Sequence, residues 1–171
     1  MKEELFDIVD DQGNVIGSAP RSKCHGDPSL IHRTAHVFVF HPDGNKILLQ
    51  LRRKDKDIQP GKWDTSVGGH LDLGEDFETA ARRELKEELG YAGNADLNHL
   101  FDSRIRNEIE SENTRVYSVV SSGPFDFQKS EIEEIRFWTF EEIDQELAAG
   151  GETFTPNLCI ELQKLGRGNL K

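Results

Sequence analysis

GHLDLGEDFETAARRELKEELGY, residues Gly69 to Tyr91, is the stretch from which the fold can be read. Phe77, Ala80, Ala81 and Leu85 recur at helical spacing, so the pattern predicts an amphipathic helix from about Asp76 to Leu89. Glu75, Asp76 and Glu78 put negative charge at its N-terminal end, where the helix dipole favours it. Gly90 suits the position just past the last turn, where a left-handed conformation often closes a helix. Glu84, Glu87 and Glu88 are spaced i, i+3, i+4, so their carboxylates share one side. Like charges at that spacing repel, and a hard divalent cation relieves the repulsion; clustered carboxylate oxygens are what Mg²⁺ and Mn²⁺ prefer. Taken in isolation, ExxEE on a helix would read as a solvated acidic face with Arg82, Arg83 and Lys86 as partners.

Upstream, SVGGHL predicts a strand near Trp63–Leu71 with a kink at its glycines. Gly68 and Gly69 lack side chains, so backbone there can approach a ligand, and their carbonyls offer further cation ligands. LFDIV and NVIGS flank DDQG as an N-terminal hairpin, and Cys24 to Leu30 is a polar loop. TAHVFVF and KILLQLR flank an Asp-Gly turn as a second hairpin. Downstream, Leu97–Ile105, Arg115–Ser121 and Ile135–Phe140 read as strands, and Phe140–Ala148 and Pro156–Leu165 as closing helices. This order gives an α/β layer protein with a mixed sheet between helices, taken as one domain over residues 1–171 with the hairpin region 1–31 as an appendage.

The chain has 171 residues and a net charge of −11, which argues against a general nucleic-acid binder. No apolar run approaches a membrane span, and MKEELFDIVD lacks the pattern of a signal peptide. Two cysteines, Cys24 and Cys159, are too few for a disulfide framework, so a reducing cytoplasm is the expected location. Against this acidic background the segment from Arg52 to Lys62 carries Arg52, Arg53, Lys54, Lys56 and Lys62 against Asp55 and Asp57. Arg52, at the end of the LLQLR alternation, and Arg53 are the first candidates for substrate phosphates, since guanidinium forks match phosphate oxygens.

Gly69, Glu75, Arg83, Glu84, Glu87, Glu88 and Gly90, with apolar Leu85 and Tyr91, fall at fixed spacing. A chance match at a given start is below roughly 10⁻⁸ from average residue usage. The stretch resembles the Nudix hydrolase signature at every defined position. The resemblance implies a Nudix α/β/α sandwich over about residues 32–148 and cleavage of a diphosphate linkage with Mg²⁺ or Mn²⁺. It makes Glu84, Glu87 and Glu88 catalytic and metal-binding, and the Glu75–Arg83 pair structural. The carboxylate that activates water varies among such enzymes. Besides the helix, the candidates here are Glu112, Glu131, Glu133 and Glu134, and the sequence does not choose among them.

HGDPSLIHRTAHVFVF and LLQLRRKDKDIQPGKWDTSVGGH also resemble isopentenyl diphosphate isomerase, a Nudix-fold enzyme. The resemblance implies a possible second metal site at His25, His32 and His70 with Glu112, while a second glutamate has no counterpart near Thr114. The isomerase's catalytic cysteine falls at Gly68. His36 reads as a sheet residue, and His41 and His99 carry no site role. The expectation is therefore an isomerase-like subfamily that hydrolyses. Its substrate is a small-molecule diphosphate, and a homodimer is left open. Isomerisation and a non-catalytic nucleotide-binding sensor are the alternatives.

Overall fold

In the computed structural model, which describes residues 3–56 and 58–167, the apolar alternations become strands and the helical pattern becomes a helix. In chain order the elements are β1 (Leu5–Val9), β2 (Val15–Pro20), α1 (Arg21–Cys24), β3 (Ile31–Phe40), β4 (Lys46–Arg52), β5 (Trp63–Asp64), β6 (Val67–His70), α2 (Phe77–Leu89), β7 (Asn98–Arg106), β8 (Ser111–Val120), β9 (Ile132–Thr139), α3 (Phe140–Ala148) and α4 (Pro156–Lys164). Asp57, part of the charge count above, lies outside the described residues.

β3 is the centre of a mixed sheet. One edge pairs in parallel with β8 along its whole length, from Ile31↔Ser111 to Phe40↔Val120. The other edge is shared: β1 meets it at Ile31, β6 at Thr34–Val37, and β4 only at Val39 and Phe40. Beyond that point β4 leaves β3 and pairs with β5 and β9. Ser66 sits in the fork. Its hydroxyl accepts from Val39 N at 2.9 Å and donates to the Leu48 carbonyl, satisfying groups that the divergence would orphan. For that reason the single strand expected at Trp63–Leu71 divides into β5, which follows β4, and β6, which follows β3.

Two layers cover the sheet. α2 lays Ala80, Ala81, Leu85 and Leu89 on Ala35, Val37, Val39, Val67 and Val119. Burying Leu85 and Leu89 there contributes about 1.5–3 kcal/mol each. Asp76 starts α2 by accepting from Thr79 N at 2.7 Å, and Gly90 ends it at φ +64°, with the backbone of Asp126 packed against the place a Cβ would take. On the opposite face α3 and α4 bury Ile143, Leu158 and Leu162 against Phe38, Val116, Trp138 and Phe154. The β1–β2 hairpin carries its own cluster of Phe6, Ile8, Ala19 and Cys24. β8 starts at Ser111, four residues before the expected Arg115. Its polar opening, SENT, does not read as a strand because its inward residues serve a polar site rather than a core. Among the described residues no helix is long and apolar enough to cross a membrane.

Candidate active site

The three glutamates of α2 do not occupy equal environments. Glu88 is buried; its Oε1 accepts from Gln50 Nε2 at 2.9 Å and its Oε2 from Gly68 N at 3.2 Å. Burial pushes its carboxyl up to about 8, with the neighbouring Glu84 charge adding to the shift. Glu84 is raised for the same first reason, and the two carboxyls lie within hydrogen-bonding reach of each other. Glu87 points outward with its side chain 53% exposed. Arg83 ties the set together. It grips Glu75 through Nε and Nη2, each at 2.9 Å, and donates to the His70 carbonyl at 2.9 Å, to Glu84 at 2.7 Å and to Glu87 at 3.2 Å. The expected Glu75–Arg83 pair is thus present and half-buried, and it reaches the glutamates as well.

The two glycines divide their work. The space a Cβ at Gly69 would need is filled by the Glu84 carboxyl, so the missing side chain admits a glutamate. Gly68 turns its N–H away from β3 toward Glu88, and in an antiparallel strand its carbonyl shares that edge. Crowded, buried carboxyls of one sign beside an outward backbone carbonyl form a donor set that fits a hard divalent cation.

A second cluster stands on the sheet face away from α2. One ligand atom from each of His25, His32, His70 and Glu112 lies within 4.8 Å of the others. Register explains the meeting: His32 pairs with Glu112 across β3 and β8, and His70 pairs with Thr34. His25 is delivered by the turn after α1. Phe6 of the hairpin stacks on His32 and His70, with ring centroids 5.3 and 4.6 Å away. Among the described residues the Nε2 atoms of all three histidines are buried without a hydrogen-bond partner. Glu112 Oε1 lies 3.5 Å from His32 Nε2 and 3.8 Å from His70 Nε2. Burial alone would raise Glu112, but His32 and His70 hold it well below the usual carboxylate range. His25 is pushed down to about 4, by burial first and then by His70 and Arg21, so it is neutral near pH 7 as a metal ligand must be. Orphaned imidazole nitrogens converging on a carboxylate fit a borderline transition metal.

Sequence reasoning missed one residue here and two beyond. Glu110 is a second carboxylate beside the cluster, where the sequence offered none near Thr114. Its Oε2 lies 3.4 Å from His25 Nε2, and burial with the Glu112 charge raises it to about 8. The signal was its i, i+2 spacing from Glu112. His36 is more than a sheet residue: its Nδ1 is hydrogen-bonded to Glu161 of α4, which is itself buried and accepts from Thr65 Oγ1 at 2.6 Å. Nothing in the local sequence joins residues 36 and 161.

The cationic loop is largely occupied with itself. Arg52 donates to the Ile58 carbonyl at 2.9 and 3.1 Å and lies 3.5 Å from Asp64. Arg53 grips Asp55 and the Lys129 carbonyl. Of the later carboxylates, Glu131 pairs with Lys56, Glu133 and Glu134 are exposed, and Glu112 lies in the histidine cluster.

A carboxylate-bearing helix is thus laid on a forked mixed sheet, and an arginine clamps that helix to a glycine strand. Residues 30–158 match the NUDIX domain. The chain is 39% identical over 158 residues to a Nudix hydrolase of Yersinia pestis, covering 90% of this chain and 81% of that one. It is 37% identical over 172 residues to Nudix hydrolase YfcD of Escherichia coli K12, covering 98% and 89%. The crystal structure of DR0079 from Deinococcus radiodurans superposes with a TM-score of 0.79 at 26% identity, covering 96% of this chain and all of that one. The chain belongs to the Nudix hydrolase family, and it is an enzyme of the pyrophosphohydrolase type.

Proposed function

We propose that this enzyme hydrolyses the diphosphate linkage of a nucleoside diphosphate derivative or a related small molecule, with Mg²⁺ or Mn²⁺ held by Glu84, Glu87, Glu88 and the Gly68 carbonyl. The observation that carries the reading is the pair of carboxyls, half-buried Glu84 and buried Glu88, pressed together beside the backbone of Gly68 and Gly69. Those groups would hold the cation, whose chemistry there would be to acidify water and neutralise phosphoryl oxygens. The chain's own residues do the rest. Gln50 and Gly68 N fix the Glu88 carboxyl, and Arg83 fixes Glu84. Glu87, whose carboxyl faces solvent, is assigned as proton acceptor from the attacking water. Arg52 stands two residues from Gln50 on the same face of β4 and is assigned to the substrate's phosphates, with Arg53, held by Asp55 in this structure, as the second candidate. A cytoplasmic location belongs to the same reading.

His25, His32, His70 and Glu112, with Glu110, are proposed as a second site for Zn²⁺, Mn²⁺ or Fe²⁺, which supports placement in the isomerase-like subfamily. Gly68 has no side chain to move a proton, so hydrolysis rather than isomerisation is expected. The test is a diphosphate panel with Mg²⁺ or Mn²⁺, read for phosphate and nucleoside monophosphate, alongside isopentenyl diphosphate in D₂O. Released phosphate or monophosphate that requires the cation supports the reading. Deuterium appearing at carbon without hydrolysis of any panel member overturns it.

A further inference from the structure

Gly68 and His36 are register partners across β6 and β3. Because the Gly68 N–H turns outward to Glu88, theirs is the close, non-hydrogen-bonded kind of antiparallel pair. The Gly68 backbone is therefore not tied to β3 at this point, and packing must hold it. Two side chains do so from opposite faces of the sheet. On the α2 face the Glu84 carboxyl fills the space of a Cβ at Gly69. On the α4 face the His36 ring stands over Gly68; a Cβ there would lie 3.0 Å from its Cδ2 and 3.1 Å from its Nε2. The absent side chain at residue 68 admits an imidazole edge, as the one at residue 69 admits a glutamate.

The ring is itself fixed from α4. Its Nδ1 is hydrogen-bonded to Glu161 Oε1, and Oε2 of the same carboxylate accepts from Thr65 Oγ1 at 2.6 Å. Thr65 lies in the segment that enters β6, and its N–H donates to Asp64 Oδ1. That oxygen also accepts from the hydroxyl of Thr155, the residue that caps α4. One buried carboxylate thus grips both the residue opposite Gly68 and the segment leading into it. Docking α4 does not require such a grip, since Leu158 and Leu162 already bury against Phe38 and Val116. Apolar side chains of similar volume often serve stability as well as a buried ion pair or better, so a pair placed behind the glycine strand points to another role.

We propose that His36 is a positioning residue for the cation site of α2: gripped by Glu161, its ring braces the Gly68 backbone from behind and so fixes the carbonyl assigned to the cation and the N–H that serves Glu88. The proposal rests on the α2 glutamates binding Mg²⁺, as proposed above. His36 touches neither cation nor substrate and acts through the peptide of Gly68, as outer partners of a metal ligand do. α4, on the opposite face of the sheet, thereby becomes part of the support of the site, and residue 68 gains a second reason to be glycine.

The experiment is calorimetric titration of the full chain with Mg²⁺, which prefers oxygen donors and so reads the α2 site rather than the imidazoles. Wild type should bind Mg²⁺ and Glu88→Gln should not. Gly68→Ala, whose methyl meets the ring, and His36→Ala, which removes the brace, should each raise the Mg²⁺ dissociation constant about tenfold, the usual cost of losing an outer partner. The double variant should bind more tightly than Gly68→Ala alone, because the methyl then occupies space the ring has left. With a diphosphate that wild type hydrolyses, each single variant should need more Mg²⁺ yet approach wild-type kcat at saturation. If His36→Ala does not fold, His36→Ala/Glu161→Ala takes its place in every arm, since it leaves no carboxylate unpaired. If wild type binds no Mg²⁺, or Glu88→Gln binds it equally well, the α2 reading fails and the positioning role fails with it. If Glu88→Gln alone abolishes binding, while His36→Ala binds as wild type does or the double variant is weaker than Gly68→Ala, the cation site stands and the positioning role is overturned.

Discussion

The two faces of the β3–β6–β8 sheet are built from the same strands by opposite rules. Under α2 the inward residues are Ala35, Val37, Val39, Val67 and Val119, and the chemistry sits at the rim, where Glu84 and Glu88 meet the glycine strand. Under α4 the inward residues include His32, Thr34, His36, Glu112 and Thr114, and the chemistry sits within the layer itself. Burying a polar group costs free energy unless it is hydrogen-bonded, so the second face is tolerable only because most of these groups have partners, and its orphaned imidazoles point to a ligand. A fold can therefore spend one face on stability and the other on polar chemistry when alternation delivers successive residues to opposite sides.

The sharpest way to break this contrast is at the rim. Glu88→Gln should lower turnover of a diphosphate substrate by on the order of 10³, because transition-state charge stabilisation is lost. Above about pH 8, where the Glu88 carboxyl would be charged, metal-free thermal stability should hold or rise, since the amide removes a buried charge. Wild-type turnover in this variant would remove the α2 glutamates from the chemistry.

Arg83→Ala should come next, destabilising the metal-free protein by about 3 kcal/mol because Glu75 loses both hydrogen bonds while remaining mostly buried. Denaturant unfolding checks it, and a change within error would make Arg83 a site residue only.

On the other face the pH dependence is diagnostic. Burial alone would lower His36, but Glu161, with Asp64 and Glu112, outweighs it and raises the imidazole to about 9. The folded value lies above the unfolded one, so the contribution to stability is complete below about pH 6.5 and is lost as pH rises through 9. Wild type should exceed His36→Gln by about 2–3 kcal/mol more at pH 6 than at pH 9.5. A pH-independent gap would mean that the His36–Glu161 pair is neutral.

The smallest effect expected is at Gly69→Ala. The new methyl group displaces the Glu84 carboxyl, with about 1–2 kcal/mol of overpacking, and metal affinity measured by dialysis should fall with it. Unchanged affinity would show that Glu84 can be held from another rotamer.

Legibility differed between the faces for a physical reason. The α2 helix, its cap residues and its glutamates are local: spacing within one segment fixes which residues share a side, so Asp76, Gly90 and the three carboxylates could be read directly. The histidine cluster was partly legible through a resemblance that named residues far apart in the chain. Glu110 was passed over although its i, i+2 spacing from Glu112 was there to be read, because it lies just outside β8 and the motif drew attention downstream to Thr114. His36 and Glu161 were invisible, since α4 must dock across the sheet before they meet. The division of Trp63–Leu71 into two strands was equally hidden, because the fork at Ser66 is set by how β3 and β4 diverge.

Among the described residues β6 pairs with β3 alone, which leaves its outer edge as a row of backbone groups that another extended chain could zip onto. Side chains of α2 occupy that row instead: Glu88 takes the Gly68 N–H and Arg83 supplies a donor to the His70 carbonyl. The two residues act as a substitute strand, shielding the edge from intermolecular β-pairing. Variants that silence the glutamate site should therefore be screened for self-association as well as for lost turnover.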